Sequence, residues 1–239
     1  MTPAYGGSCF ARSGAGTTAL VELYTSEGCS SCPPADRWLS GLGMRYPTER
    51  LVPLALHVDY WDYIGWKDRY AKREFSQRQR RLSQLQRSAL VYTPQVLLQG
   101  ADFAAWSGSQ FDRAVAAINS QPARASLELE VLGTSVQALR LRVRAAVAEA
   151  ALASQAGVYV ATYENRLESR VAAGENRDRL LRHDYVAFEW QGPYGLGERE
   201  LSLPLLPKGK AADSGVVAFI QHRGTAEVLQ ALALGACSP

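Results

Sequence analysis

The rhythm of apolar and polar positions changes about halfway along the chain. In the first half, short apolar runs alternate with segments of helical composition. Leu20-Val21-Glu22-Leu23-Tyr24-Thr25 reads as a short strand, Leu51 to Val58 as a strand buried on both faces, and Val91 to Leu98 as another, interrupted by Pro94. Between them, Asp36 to Arg45 sets Trp38, Leu39 and Leu42 on one side of a helix, and Trp66 to Ser88 is polar and helical in composition. Ser109 to Ile118 reads as a further helix, with Asp112 three residues on resembling a capping box. The order β-α-β-α-β-(β)-α predicts an α/β sandwich.

After Gln121-Pro122 the period shortens to two. Leu127, Leu129 and Val131 alternate with Glu128 and Glu130, and Leu139, Leu141 and Val143 alternate with Arg140, Arg142 and Arg144. Such alternation marks half-buried antiparallel strands. Further strands are expected at Val158 to Tyr163, Tyr185 to Trp190, Leu201 to Leu205 and Val216 to Gln221. Ala226 to Leu234 fits strand or helix, and the Arg223-Gly224 turn before it favours a hairpin. The expected organisation is a tail over residues 1–17, an α/β domain over 18–122 with a helical insertion at 64–88, and a β-sandwich-like domain over 123–239.

Composition excludes more than it selects. The 239 residues are 47% hydrophobic and 21% charged, with a net charge of +3, which argues for neither nucleic acid nor a disordered chain. No apolar run approaches the 18 or so residues of a membrane span. The segment Met1 to Thr18 is rich in Gly, Ser and Ala and has no apolar core of a signal peptide. Trp66 to Ser88 carries eight basic residues, Arg78 among them, and is expected to be a solvated helix face. No Gly-rich phosphate loop and no nucleophile elbow is found, and no cofactor is implied.

The chemistry gathers at Cys29-Ser30-Ser31-Cys32, a C-x-x-C that follows a strand and precedes a helix. Two cysteines at this spacing close a disulfide without unwinding the chain, and the N-terminal thiolate is the nucleophile in such sites. Cys29 is expected to be the more exposed and to attack, and Cys32 to resolve. Thr93-Pro94 stands at the start of a later strand, where a cis peptide would lie against the cysteine pair and leave backbone groups free to bind an extended substrate. His57-Val58-Asp59-Tyr60-Trp61 leaves the strand after the cysteine helix, at the sheet end where α/β sites form. His57 or Asp59 is a candidate proton acceptor for a sulfur, and His57 is also a candidate third metal ligand beside Cys29 and Cys32. Trp61 and Glu22 are candidate supporting residues. Pro33 and Pro34 should start the helix, leaving Cys29 a turn upstream of its positive end. Cys9 and Cys237, at opposite ends, are a candidate structural bridge, which implies an oxidising compartment.

Three strings, Val21 to Asp36, His57 to Asp68 and Val91-Tyr92-Thr93-Pro94-Gln95, resemble the domain-of-unknown-function family 1223, as do Gly174-Glu175-Asn176 and His183. The resemblance implies a thioredoxin-like N-terminal domain, a β-rich C-terminal part and export to the periplasm or beyond. It supplies no substrate. Gly174-Glu175-Asn176 reads as a turn between strands, with His183 at the surface; the alternative is a role over the cysteine site. The leading expectation is a thiol–disulfide oxidoreductase acting on exported proteins or small thiols. The competing ones are a binding module for Cu(I), which thiolates suit, or for a protein partner, and a scaffold with a static Cys29–Cys32 bridge. Oligomeric state is not legible.

Overall fold

The computed structural model describes residues 9–88, 90–135, 138–204 and 213–235. The first half runs β1 (Phe10–Arg12), β2 (Ala19–Thr25), α1 (Pro33–Arg45), β3 (Leu51–His57), a 3-10 turn (Asp59–Ile64), α2 (Arg73–Leu85), β4 (Gln95–Leu98), β5 (Ala101–Asp102) and α3 (Ser109–Asn119). The second runs β6 (Ala125–Thr134), β7 (Ala138–Val147), α4 (Ala150–Gln155), β8 (Ala156–Glu164), β9 (Leu167–Arg170), β10 (Leu180–His183), β11 (Val186–Tyr194), β12 (Gly197–Pro204), β13 (Ser214–His222) and β14 (Val228–Leu234).

Strands β2 and β3 are buried along their whole length, which is why they read as apolar runs without alternation. They pair in parallel through the α1 crossover, and β4 pairs antiparallel with β2 from Tyr24↔Gln95 to Val21↔Leu98. Leu39 and Leu42 of α1 and Phe111 and Val115 of α3 pack on Val21, Leu23 and Val96. On the opposite face, Phe75 and Leu82 of α2 pack on Leu20, Tyr24, Leu54 and Leu56.

The second half extends this same sheet. Its order is β14-β13-β8-β11-β3-β2-β4-β5, and β11 lies parallel to β3 at Val186↔Ala55. A four-stranded sheet, β1-β6-β7-β12, packs against β8 and β13 through Leu127, Leu129, Leu141 and Val143. The register Val186↔Glu164 puts this second sheet on the face that also carries α1 and α3. The fold is therefore mixed α/β with several sheets. The alternation in β6 and β7 pairs as expected, with Glu128↔Arg144 and Glu130↔Arg142 on the outer face.

Several expectations are corrected. Residues 10–12 are not tail but strand β1, held by the ladder of β6, a partner too distant for so short a segment to advertise. The helix expected from Trp66 begins only at Arg73. Asp112 does not cap α3; it accepts hydrogen bonds from Arg45 and Tyr46 and ties α3 to α1. The strand expected from Val91 is confined to Gln95–Leu98. Val228–Leu234 is strand, paired antiparallel with β13. Cys9 lies beside β6, its carbonyl accepting from Val131 N–H at 2.8 Å, while Cys237 lies outside the described residues.

Candidate functional site

The cysteine loop is built at the carboxyl end of β2. Cys32 is the N-cap of α1, and the two prolines after it occupy the first helical positions, where a missing N–H costs nothing. The Cys32 carbonyl accepts from Ala35 and Asp36 N–H, and Cys32 N–H donates to the Cys29 carbonyl at 3.2 Å. This turn brings the Cα atoms of Cys29 and Cys32 to 5.4 Å, and the two sulfurs are bonded. The Ser31 hydroxyl lies 3.3 Å from the Cys29 sulfur.

The bond is covered. Cys29 is 1% exposed and Cys32 0%, so the expectation of an exposed attacking sulfur is corrected. The turn joining β9 to β10 lies over the loop. Asn176 Nδ2 donates to the carbonyls of Glu27 and Cys29, each at 2.9 Å, and Glu175 accepts from Ser30 N–H at 3.0 Å. On another side the 3-10 turn presses in: a Cβ on Gly28 would stand 3.0 Å from the Trp61 Cβ. Trp61 in turn donates its indole N–H to Thr93 Oγ1 at 2.7 Å. The Thr93-Pro94 peptide is cis. The register Tyr24↔Gln95 sets Pro94 beside Thr25, at the same sheet end as the cysteine loop.

Beside the loop lies a buried set of ionisable groups: Glu27, Asp36, His57, Asp68 and His183, none more than 6% exposed. His57 Nδ1 and Asp68 Oδ2 are 2.6 Å apart, and the same carboxylate accepts from Glu27 N–H, with Tyr70 N–H on its other oxygen. His183 Nε2 is 3.3 Å from Glu27 Oε1, and its Nδ1 is 3.9 Å from Asp36. Glu27 also accepts from the Trp66 indole, and Asp36 from the Thr25 hydroxyl. Burial by itself would lower the His57 pKa, but the Asp68 charge and hydrogen bond, with Asp36 and Glu27 behind them, outweigh it and hold the imidazole above its ordinary value. Burial would likewise raise Asp68, and the His57 charge and hydrogen bond with two backbone N–H groups hold it below the usual carboxylate range. Glu27 is pushed up by burial and brought lower overall by His183, Ser169 and Trp66. Asp36 goes the other way: its burial prevails over the histidine charges and leaves it raised.

The other expected residues land elsewhere. Glu22 is fully buried on the α2 face of the sheet, not at the cysteines, and pairs with Arg78 at 2.6 Å. That corrects the solvated reading at Arg78 alone, which is 9% exposed and lies 4.6 Å from the Trp190 ring centre, while Lys67, Arg69, Arg73, Arg80, Arg81 and Arg87 are exposed as expected. Asp59 caps nothing at the site; it accepts from the Ser76 hydroxyl and ties the 3-10 turn to α2. For the metal alternative, the two sulfurs are bonded to each other and Asp68 engages His57, and no group of three or more such ligands fits an ion among the described residues. His183 is 2% exposed rather than at the surface. Glu27, Asp36 and Asp68 had no expected role, and His183 had a place over the cysteine site only as the lesser alternative to a surface position. Their sequence signal was their place in the family-like strings, Glu27 and Asp36 within Val21 to Asp36, Asp68 at the end of His57 to Asp68, and His183 beyond them.

Fold and site define a mixed α/β protein with a bonded C-x-x-C beside a buried acid–histidine cluster. The family described as "Protein of unknown function (DUF1223)" matches residues 20–221, and the chain belongs to it. The chain is similar to protein AGR_C_4864 from Agrobacterium tumefaciens, at 22% identity and a TM-score of 0.68, covering 94% of this chain and 96% of that one. It is also similar to HBP35 of Porphyromonas gingivalis, at 13% identity and a TM-score of 0.65, covering 92% of this chain and 76% of that one. At these identities the likeness is one of fold. No curated protein matches.

Proposed function

We propose that this protein is a thiol–disulfide exchange protein acting on exported proteins or small thiols through Cys29 and Cys32, held here in a closed state. The observation that carries this reading is the buried cluster joined to both ends of the cysteine loop. Glu27 stands two residues before Cys29, and Asp36 N–H binds the Cys32 carbonyl. Thiol exchange needs groups that take and return protons beside the sulfurs; a purely mechanical bridge has no use for five buried ionisable groups, whose desolvation is costly. In the reduced form, the Cys29 thiolate attacks a substrate disulfide and forms a mixed disulfide, releasing one substrate thiolate. Cys32 then loses its proton and attacks Cys29, expelling the second substrate thiol and restoring the Cys29–Cys32 bond. The reverse sequence oxidises a substrate dithiol.

The architecture supports a thioredoxin-like unit over 18–122, with an insertion at 64–88 that carries α2, fused to a β-sandwich-like part over 123–239. The order β3-β2-β4-β5, with helices on both faces and the cysteines after β2, suits that reading. Thr93 and Pro94 would present an extended substrate, with Leu90 and Val91 exposed just before them in sequence to receive apolar side chains. An oxidising compartment, periplasmic or extracellular, accords with a bonded pair. Among the described residues no helix is long and apolar enough to cross a membrane. Insulin reduction and reactivation of scrambled ribonuclease test the proposal: turnover should appear and vanish in Cys29→Ser. Wild-type rates equal to the variant's would end it.

A second reading is favoured by the burial of Cys29 at 1%: a static bridge in a binding protein. A reduction potential below about −300 mV for the pair would select that reading.

A further inference from the structure

We propose that the turn between β9 and β10, residues 171–179, is a gate over the Cys29–Cys32 bond and that Asn176 is its latch. The gate's purpose rests on the exchange reading above; its test does not. A thiolate must reach a sulfur to displace the other one, and at 1% and 0% exposure neither sulfur offers an approach from solvent. Something has to move before the bond can be broken.

The two sides of the covered site are held very differently. The cysteine loop is continuous with β2 and α1, whose apolar side chains lie in the core. The turn above it is held mainly by polar contacts. Of its nine residues, only Val171 and Asn176 are buried. Asn176 is 0% exposed, and all of its amide is used across the gap or within the turn. Nδ2 donates to the Glu27 and Cys29 carbonyls, and Oδ1 accepts from Arg179 at 3.1 Å. Glu175 adds the bond from Ser30 N–H. Gly174, with φ of +75°, lets the turn settle on Ile64, whose Cδ1 would stand 3.2 Å from an added Cβ. A segment with few buried apolar contacts, held by a handful of hydrogen bonds, opens at less than the global unfolding cost. The same hairpin ends in His183, so closing the turn also seats that imidazole beside Glu27.

The gate is tested by the rate at which dithiothreitol reduces the pair. One dithiothreitol thiolate attacks a sulfur of the bond, and the electron pair leaves on the other. Its second thiolate then closes the cyclic disulfide, and the protein keeps two thiols. Alkylation with iodoacetamide and mass analysis of the peptide holding Cys29 and Cys32 reads the rate. Asn176→Ala, checked for native far-UV dichroism, should be reduced about tenfold faster than wild type, having lost two cross-gap hydrogen bonds. Glu175→Ala, at an exposed position, should show a smaller acceleration. Gly100→Ala, remote from the gate, should stay near the wild-type rate. Equal rates in wild type and folded Asn176→Ala overturn the gate, as does an equal acceleration in Gly100→Ala, which would mean reduction through global unfolding. If Asn176→Ala does not fold, an unchanged rate in Glu175→Ala overturns it alone. Absence of insulin turnover in every variant, with the Asn176→Ala acceleration intact, removes the exchange reading and leaves the gate standing.

Discussion

His57 shows how a single side chain here depends on its neighbours. Its imidazole has lost all contact with water, a change that disfavours the cation, yet Asp68 at 2.6 Å keeps it protonated above its ordinary range. A raised pKa in the folded state contributes stability that is fully present below the unfolded value, about 6.5, and is lost as pH rises through the folded value. Asp68 has the opposite sign: its depressed pKa contributes stability above about 3.9 that is lost as pH falls through the folded value. The pair is therefore worth most in mildly acidic solution. His57→Asn should flatten the loss of stability above about pH 6.5, measured by urea unfolding from pH 6 to 9. Parallel curves for variant and wild type would show that His57 is not charged in the folded protein. The C-x-x-C was legible because its members are neighbours in the chain. The cluster was not, because Glu27 meets His183 only when β10 is folded over the loop.

At the scale of elements, the close approach of the turn after β4 to the β13–β14 turn is a sharp packing constraint. The turn after β4 places Gly100 at φ +84°, and a Cβ there would lie 1.9 Å from the Ala226 carbonyl oxygen. Gln99 accompanies it, donating its side-chain amide to the Val228 carbonyl at 2.8 Å. An alanine at position 100 must both adopt a left-handed backbone, which costs about 1–3 kcal/mol, and push the β13–β14 turn away. Gly100→Ala should lower Tm by about 4 °C or more for a chain of this size, read by differential scanning calorimetry; an unchanged Tm would mean that the turn yields freely. The period-two segments β6 and β7 were readable as strands and as partners, since each alternation exposes one charged face: Glu on one strand, Arg on the other. Helix α2 was readable in kind but not in burial. Eight basic residues suggested solvent, and only the buried carboxylate of Glu22 across the packing interface explains why Arg78 points inward.

At the scale of the whole molecule, one sheet joins the two halves. Strand β3 is flanked by β2 on one side and by β11, from the second half, on the other. Residues 18–122 expressed alone would bare the β3 edge and the apolar face beyond it, an invitation to aggregation. That fragment should be insoluble or lack a cooperative transition. The full described fold should unfold in one step, with tryptophan fluorescence and far-UV dichroism coincident in urea. A fragment that melts cooperatively on its own would show that the halves are energetically separate.

By itself the sequence determined most of the longer elements, the mixed α/β class, the cysteine pair and the family strings, because periodicity, proline positions and a two-residue spacing are local facts of the chain. Only tertiary structure decided that the sulfurs are covered, that a turn from the second half covers them, and that five ionisable groups share one dry site. Those outcomes depend on long-range pairing and on the exclusion of water, and neither leaves a periodic mark along the chain.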